Sequence, residues 1–219
     1  MNVAAPTTVL SLCSGGGGLD LGLRCAVPSA RTVCYVENEV TACGVLAARM
    51  ADGGLDDAPV WTDLLSFDGR PWCGLVDIVI GGYPCQPFSN AGRRLGSDDP
   101  RHLWPEVRRI TAEVGPRLAF FENVGAHLRL GFREVATDLQ RMGYRVAATL
   151  LTASEVGAPH GRERLFILAH RTGTRLTGAE DAGTDRDDAS ERVRGSEPQR
   201  GSGVLAHSDQ QHAHGGGDA

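Results

Sequence analysis

Two residues of the sequence place an ionisable side chain directly after a strongly apolar run. Cys85 lies in GGYPCQ, which follows VDIVI, and Glu122 follows LAFF. Thiolate is the reactive form of cysteine, so a thiol on a proline-stiffened loop near arginines is a candidate nucleophile. A carboxyl group that begins inside an apolar environment gains a raised pKa, which suits a proton donor. The alternatives are a buried filler cysteine and an acid that pairs with an arginine for structural reasons.

Glycines and acids follow three further apolar runs. The glycine cluster SGGGG, residues 14–18, follows the first run, and Glu37 and Asp63 follow the next two. Asp20 and Leu21 stand where G-x-G-x-x-G would need its last glycine, and no G-K-[ST] is present, so phosphate-binding loops are excluded. A carboxylate about twenty residues after a glycine loop can accept ribose hydroxyls, and Asp63 could accept from an adenine amino group. Individually these residues also fit a tight turn and exposed acids, but together they favour a nucleoside ligand without a phosphate chain, such as S-adenosylmethionine.

The apolar runs alternate with helical patterns, which predicts an α/β fold with a doubly wound, mainly parallel sheet. The predicted strands are Thr8–Leu12, Thr32–Glu37, Val60–Thr62, Val76–Gly81, Leu118–Glu122, Tyr144–Leu151 and Arg164–Ala169. The predicted helices are Leu19–Arg24, Glu39–Met50, Pro105–Val114 and Phe132–Met142. The last two strands lack a crossover helix between them, so they are expected to pair antiparallel. Ligands of such sheets bind at the carboxyl ends of the strands, where all the residues above fall.

Composition divides the 219 residues into a predicted catalytic domain, 1–170, and a predicted disordered polar tail, 171–219, which contains no aromatic residue. The six cysteines form no C-x-x-C pair, so no metal site is expected, and the three tail histidines are interpreted as solvated. The formal net charge of −5 argues weakly against a general nucleic-acid binder. No signal peptide or bilayer-spanning run is recognisable, so a cytoplasmic location without a membrane is expected.

Several motifs occur in an order that resembles one known family. GGYPCQPFSNAGRRLGSDDPR, FFENV and GAPHGRERLFILAH are similar to motifs of the DNA (cytosine-5) methyltransferases, as are SLCSGGGGLDLGL and YVENEVTACGVL. The resemblance covers residues 7–170 and implies a Rossmann-like S-adenosylmethionine-dependent methyltransferase fold. It implies double-stranded DNA as the partner, with the target cytosine flipped out of the duplex.

The resemblance also implies a role for each matching residue. Cys85 would attack C6 of the cytosine, and Glu122 would hydrogen-bond and protonate N3. Arg164 would contact the base O2 and orient Glu122, with Arg162 close by. The S-adenosylmethionine pocket would be lined by Ser14, Gly15, Gly17, Glu37, Asp63 and Leu103.

Departures from the family leave other interpretations open. Ser11 stands where an acid is usual, Cys13 where an aromatic residue is usual, and His160 where glutamine is usual. A polar tail follows the last strand, where the family has a target-recognition domain and C-terminal motifs. We therefore expect a truncated chain that needs a complementing chain with the recognition domain, and an inactive homologue or an RNA cytosine-5 methyltransferase stays possible. The resemblance implies a bacterial or phage-encoded, nucleoid-associated protein, with the target sequence, restriction or orphan role and oligomeric state undetermined.

Overall fold

Seven strands of the described chain form one mixed sheet. The computed structural model describes residues 5–84 and 103–171, so Cys85 and the tail from residue 172 onward lie outside the described residues. The strands are β1 (Thr7–Leu12), β2 (Ala30–Val36), β3 (Val60–Trp61), β4 (Ile78–Gly81), β5 (Leu118–Val124), β6 (Tyr144–Thr152) and β7 (Glu163–Arg171). Their order across the sheet is β3-β2-β1-β4-β5-β7-β6, in which β7 is antiparallel to both neighbours and the other pairs are parallel.

The register of the parallel strands brings four chain exits to one edge. Leu12 of β1 pairs with Val36 of β2 and with Gly81 of β4, and Gly81 pairs with Phe121 of β5. The residues that follow these four are Cys13, Glu37, Gly82 and Glu122. Of the predicted site residues, Glu37 and Glu122 thus follow paired positions at one edge of the sheet.

Five α-helices of the described chain flank the sheet. They are α1 (Gly18–Ala26), α2 (Val40–Ala51), α3 (Trp104–Val114), α4 (His127–Leu130) and α5 (Phe132–Arg141). The main core lies under α3 and α5, whose buried Val107, Ile110 and Leu139 pack against the sheet. On the opposite face, smaller clusters bury the apolar sides of α1 and α2 over the β3-β2-β1-β4 half. Both faces of that half are covered, as doubly wound sheets require.

The β5-β7-β6 half has one face on which apolar side chains of the described chain stay exposed. Phe120 and Phe166 stack on this face with ring centroids 5.8 Å apart. Leu168 and Leu151 remain 44% and 40% exposed beside them, and strand pairing places Leu168 opposite Ala147 on β6. We call these five residues the open face. It is an apolar surface of the kind that usually meets another polypeptide.

The fold agrees with the α/β prediction and with the antiparallel pairing of the last two strands. The observed strand ends differ by at most two residues from those predicted, as at β4, which begins at Ile78 rather than Val76. Glu39 lies outside α2 as its N-cap, where its carboxylate accepts from the backbone N–H groups of Thr41 and Ala42. The sequence analysis did not predict α4 or the 3₁₀ turns Arg70–Trp72 and Ala153–Val156.

Candidate cofactor and catalytic site

A cavity of about 350 Å³ opens at the carboxyl edge of β1, β2 and β4. Four residues predicted to bind the cofactor or shape its pocket line it, namely Gly15, Glu37, Asp63 and Leu103, and Cys13, Val36, Asn38, Leu64, Leu65, Gly82 and Pro84 complete the described lining. The described lining contains two acidic residues, Glu37 and Asp63, and no arginine. Such a lining suits an uncharged or cationic nucleoside better than a phosphate, which prefers cationic donors. The residues therefore fit a sulfonium nucleoside such as S-adenosylmethionine.

Glu37 is the best-anchored polar residue of the cavity. It follows β2, is buried to 9% exposure, and accepts hydrogen bonds from the backbone N–H groups of Gly15 at 2.7 Å and Glu39 at 2.9 Å. Each carboxylate oxygen can accept more than one hydrogen bond, so both can still accept a ligand hydroxyl. The two backbone donors fix the carboxylate in one orientation, which suits the pair of hydroxyls on a ribose.

The glycine turn between β1 and α1 is shaped by three left-handed residues and one tight contact. Gly15 and Gly17 have φ of 53° and 75°, and Cys13 is left-handed as well at 48°. A Cβ on Gly17 would lie 2.5 Å from Cδ1 of Leu55. Gly17 therefore serves the packing of α1 and is absent from the described cavity lining, whereas Gly15 borders the cavity directly.

Ser14 turns its hydroxyl away from the cavity. The hydroxyl donates to the carbonyl of Ser11 at 3.0 Å and lies 3.4 Å from that of Val36. The Ser14 backbone N–H also donates to Val36, at 3.2 Å. Ser14 thus joins β1 to β2 beneath the turn and is absent from the described cavity lining. Its predicted cofactor role stays a prediction that side-chain contacts do not support.

Cys13 presents a neutral thiol to the same cavity. Burial and the nearby charge of Glu37 raise the pKa of Cys13 to about 12. A thiol in that state is a poor nucleophile. Within the described residues, Cys13 is therefore a wall of the cavity, and it leaves the nucleophile assignment to Cys85.

Glu122 and Arg164 form a close ion pair at the end of β5. The Nε of Arg164 lies 2.6 Å from Oε1 of Glu122, and both side chains are only about a quarter exposed. The antiparallel β5–β7 register makes this contact possible, because Val124 pairs with Arg164 and Glu122 pairs with Phe166. The predicted pairing of these two residues is thus present in the structure.

Burial raises the pKa of Glu122, and the positive charge of Arg162 acts in the opposite direction. The ion pair with Arg164 also favours the carboxylate. Glu122 reaches the cavity border as well, since a Cβ on Gly82 would lie 3.4 Å from its Oε2. Burial raises the pKa of this carboxyl group and the two guanidinium groups lower it, so the group can take up and release a proton near the cavity.

The chain leaving β4 is held from the β5 side. The amide of Asn123 donates to the carbonyl of Tyr83 at 2.9 Å, and the Tyr83 hydroxyl lies 3.1 Å from Nε2 of His127. The Tyr83 ring also packs against Trp104 and Phe121. These contacts fix the segment that ends at Pro84, one residue before Cys85. The sequence analysis missed Asn123 and His127 in this role, although Asn123 adjoins Glu122 in FFENV.

The family model for C-5 cytosine-specific DNA methylase matches residues 7–203. The chain belongs to this family. The type II methyltransferase M.NgoMIV of Neisseria gonorrhoeae is 34% identical over 166 residues, which are 74% of this chain and 51% of that protein. M.AplI of Arthrospira platensis is 33% identical over 78% of this chain and 48% of its own length. M.AquIA of Picosynechococcus is 34% identical over 75% of this chain and 72% of its own length.

Solved structures agree with the fold of this family member. A DNA modification methyltransferase encoded within an E. coli prophage aligns with a TM-score of 0.61 and 28% identity, over 75% of this chain and 46% of that one. Spodoptera frugiperda DNMT2 aligns with a TM-score of 0.64 at 21% identity, over 80% of this chain and 53% of its own, which supports the fold alone. The chain thus spans about half the length of M.NgoMIV and M.AplI and of both structures.

Two features are absent from the part of the chain that the structure describes. Across residues 5–84 and 103–171, no helix has the length and apolarity needed to cross a membrane. The same residues contain no group of three or more histidine, cysteine, aspartate or glutamate side chains placed to hold a metal ion.

Proposed function

We propose that this chain supplies the cofactor-binding and catalytic part of a methyltransferase that methylates C5 of cytosine in DNA. The observation that supports this most directly is the Glu122–Arg164 pair at the border of a nucleoside-sized cavity, in a chain of the C-5 cytosine-specific DNA methylase family. Glu37 would accept the ribose hydroxyls of S-adenosylmethionine, Asp63 would accept from the adenine amino group, and Leu103 would pack on the nucleoside. Such a substrate implies a cytoplasmic, nucleoid-associated protein.

The proposed reaction begins with a bond between the Cys85 sulfur and C6 of a flipped cytosine. As this bond forms, Glu122 gives its proton to N3, and the ring electrons become available at C5. Arg164 holds the Glu122 carboxyl group and would contact the base O2, with Arg162 adding positive charge nearby. Bound S-adenosylmethionine would supply an electrophilic methyl group, which C5 would take as the methyl–sulfur bond breaks and S-adenosylhomocysteine leaves. A base then removes the C5 proton, the ring electrons expel the Cys85 sulfur, and Glu122 recovers its proton from N3.

Covalent trapping tests the nucleophile and the substrate class together. Duplex DNA with 5-fluorocytosine blocks the final elimination because C5 carries fluorine instead of a removable proton. With the C-terminal half of M.NgoMIV added, we expect a stable protein–DNA adduct that needs S-adenosylmethionine, maps to Cys85 and is lost in Cys85→Ala with the fold retained. Cys25→Ala is the matched control and should still form the adduct, because Cys25 is exposed and absent from the described cavity lining. An adduct that persists in Cys85→Ala, or that forms only on RNA, would contradict this function.

We also propose that catalysis requires a complementing chain that carries the target-recognition domain and covers the open face. Exposed apolar side chains support this proposal, because residues such as Leu168 stay accessible on the open face. The described core also contains more acidic residues than arginines, so it has no excess positive charge to bind phosphates, which supply much of DNA affinity.

Adding the missing part in trans tests this second proposal. Methyl transfer from labelled S-adenosylmethionine to bacterial DNA is measured with the purified chain alone and with the C-terminal half of M.NgoMIV added. We expect transfer only in the mixture. Transfer by the purified chain alone would refute the need for a complementing chain while leaving the methyltransferase proposal intact.

A further inference from the structure

One arginine of α3 binds the loop that forms a wall of the cavity. Arg109 donates to the backbone carbonyls of Phe67 at 2.8 Å, Leu64 at 3.1 Å and Leu65 at 3.3 Å. Its remaining donors meet Glu106 at 2.7 Å and Glu113 at 3.0 Å. A guanidinium group has five N–H donors in a fixed planar arrangement. All three nitrogens of Arg109 are therefore engaged, two of them with this loop.

The same loop is held at its far end by a partner of Arg109. Oε2 of Glu113 accepts from the backbone N–H of Gly69 at 2.8 Å. A Cβ on Gly69 would lie 2.9 Å from that oxygen and 3.2 Å from the carbonyl of Ile110. Residues 64–69 thus lie close to α3, and a side chain at position 69 would crowd Glu113 and the Ile110 carbonyl. Arg109 and Glu113 hold their backbone, and the buried side chains of Leu64 and Phe67 pack in the main core.

The fixed loop and α3 both contribute to the cavity. Leu64 and Leu65 line it beside Asp63, and Leu103, the residue before α3, lines it from the other side. The backbone N–H of Leu65 donates to Oδ1 of Asp63 at 3.0 Å, so the position of Leu65 also orients the Asp63 carboxylate. A displacement of the loop would therefore change the acceptor that faces the nucleobase.

We propose that Arg109 is a positioning residue for nucleobase selection. It binds the carbonyls of Leu64, Leu65 and Phe67 and so holds their loop against α3. The loop in turn holds Asp63 where its carboxylate accepts from the adenine amino group. The inference rests on the proposed function, in which the cavity binds S-adenosylmethionine. Arg109 itself is absent from the described cavity lining, so it acts through the loop. Lysine would keep the charge but replace the planar set of donors by a single ammonium group. Arg109→Lys should consequently preserve the fold and loosen the loop.

Nucleobase selectivity separates positioning from general stability. The affinities of S-adenosylhomocysteine and S-inosylhomocysteine are measured by calorimetry, because the inosine base carries an oxygen in place of the amino group that Asp63 would bind. We expect the unaltered chain to prefer the adenine ligand, and Asp63→Ala to abolish the preference. Arg109→Lys should reduce the preference about three- to tenfold, the range expected for one hydrogen bond. Arg108→Lys is the matched control, since Arg108 is half-exposed and its ion-pair partner is Asp138.

Each outcome of this experiment identifies the assumption that holds or fails. A reduced preference in Arg109→Lys, with cooperative unfolding retained and with unchanged preference in Arg108→Lys, supports the inference. Equal weakening of both ligands, or an unchanged preference, overturns it while the Asp63→Ala result upholds the adenine site. If the unaltered chain binds neither ligand, or if Asp63→Ala keeps the preference, the proposed cofactor site fails and the inference fails with it. Faster hydrogen exchange confined to residues 64–69 in Arg109→Lys provides an independent check.

Discussion

Burial and two neighbouring arginines act in opposite directions on the pKa of Glu122. Burial raises its pKa, while Arg162 and the ion pair with Arg164 favour the charged form. A carboxyl group in this balance can donate its proton when negative charge develops on a bound base and recover it afterwards. Neither an exposed glutamate nor a fully paired one would do both near neutral pH.

The raised pKa of Glu122 predicts the pH dependence of methyl transfer. The acid form is needed, and it is present below the folded-state pKa and lost as pH rises through it. We therefore expect kcat/KM of the complemented enzyme to decline on the alkaline side with an apparent pKa above that of ordinary glutamate. Glu122→Gln should lower kcat by about 100-fold or more and abolish this decline. The control is Glu163→Gln, an exposed neighbour of Arg164, and an alkaline decline that persists in Glu122→Gln would exclude Glu122 as the acid.

Glu37 gives a residue-scale prediction about cofactor binding. In Glu37→Gln the amide NH₂ group must face one of the two backbone N–H donors, Gly15 or Glu39, and lose that hydrogen bond. We expect the affinity for S-adenosylmethionine to fall about 10- to 100-fold, the range for hydrogen bonds to charged groups. Calorimetry measures this, with Glu39→Gln as the control because Glu39 caps α2 outside the cavity lining. Equal affinities in the two variants would contradict the ribose role.

At the scale of elements, the start of α1 depends on the absence of a side chain at one position. Gly17 is left-handed and lies against Leu55, whereas Gly18, the first residue of α1, has no atom within 4 Å of an added Cβ. We expect Gly17→Ala to lower the free energy of unfolding by about 1–3 kcal/mol through strain and overpacking. Gly18→Ala should be neutral or stabilising by up to about 1 kcal/mol. Denaturant unfolding compares the two, and similar effects would refute this explanation of the turn.

The elements themselves could largely be predicted from the sequence, because their signals are local. Long apolar runs and helical periods gave all seven strands and the four longer helices, and the missing crossover gave the antiparallel β6–β7 pair. The helix α4 has four residues, too few for a periodic pattern. The strand order across the sheet depends on which distant runs meet, and periodicity within one segment does not contain that information.

The site was predictable to the extent that strand ends define it. Glu37, Asp63 and Glu122 follow apolar runs, and parallel pairing places such ends together. The inward turn of Ser14, the packing role of Gly17 and the contacts of Arg109 with the 64–67 carbonyls depend on rotamers and loop paths that no local pattern specifies. Local patterns therefore identified cavity-lining residues more reliably than the residues that hold them in place.

At the scale of the whole molecule, the open face predicts association of the isolated chain. Leu168 is 44% exposed on an apolar surface that continues over Phe166 and Leu151. We expect the purified chain to self-associate as concentration rises, and Leu168→Asp to reduce this association. The free energy of unfolding should change by less than about 0.5 kcal/mol, as for other surface substitutions. Sedimentation equilibrium across a concentration series measures the association.

Leu75→Asp provides the matched control for this surface. Leu75 is 66% exposed and precedes β4, away from the open face. Its replacement should leave self-association unchanged. If both substitutions reduce association equally, general charge repulsion rather than the open face explains the effect.

The reversed direction of β7 has a consequence for how this protein can vary. β5 ends at Val124 and β7 begins at Glu163 at the same edge of the sheet. Residues 125–162 therefore leave this edge and return to it. The β5–β7 ladder, and not the number of intervening residues, keeps acid and guanidinium in line. Insertions at the exposed Gly157 turn can therefore accumulate among descendants of this gene without separating the two charges that meet at its ends.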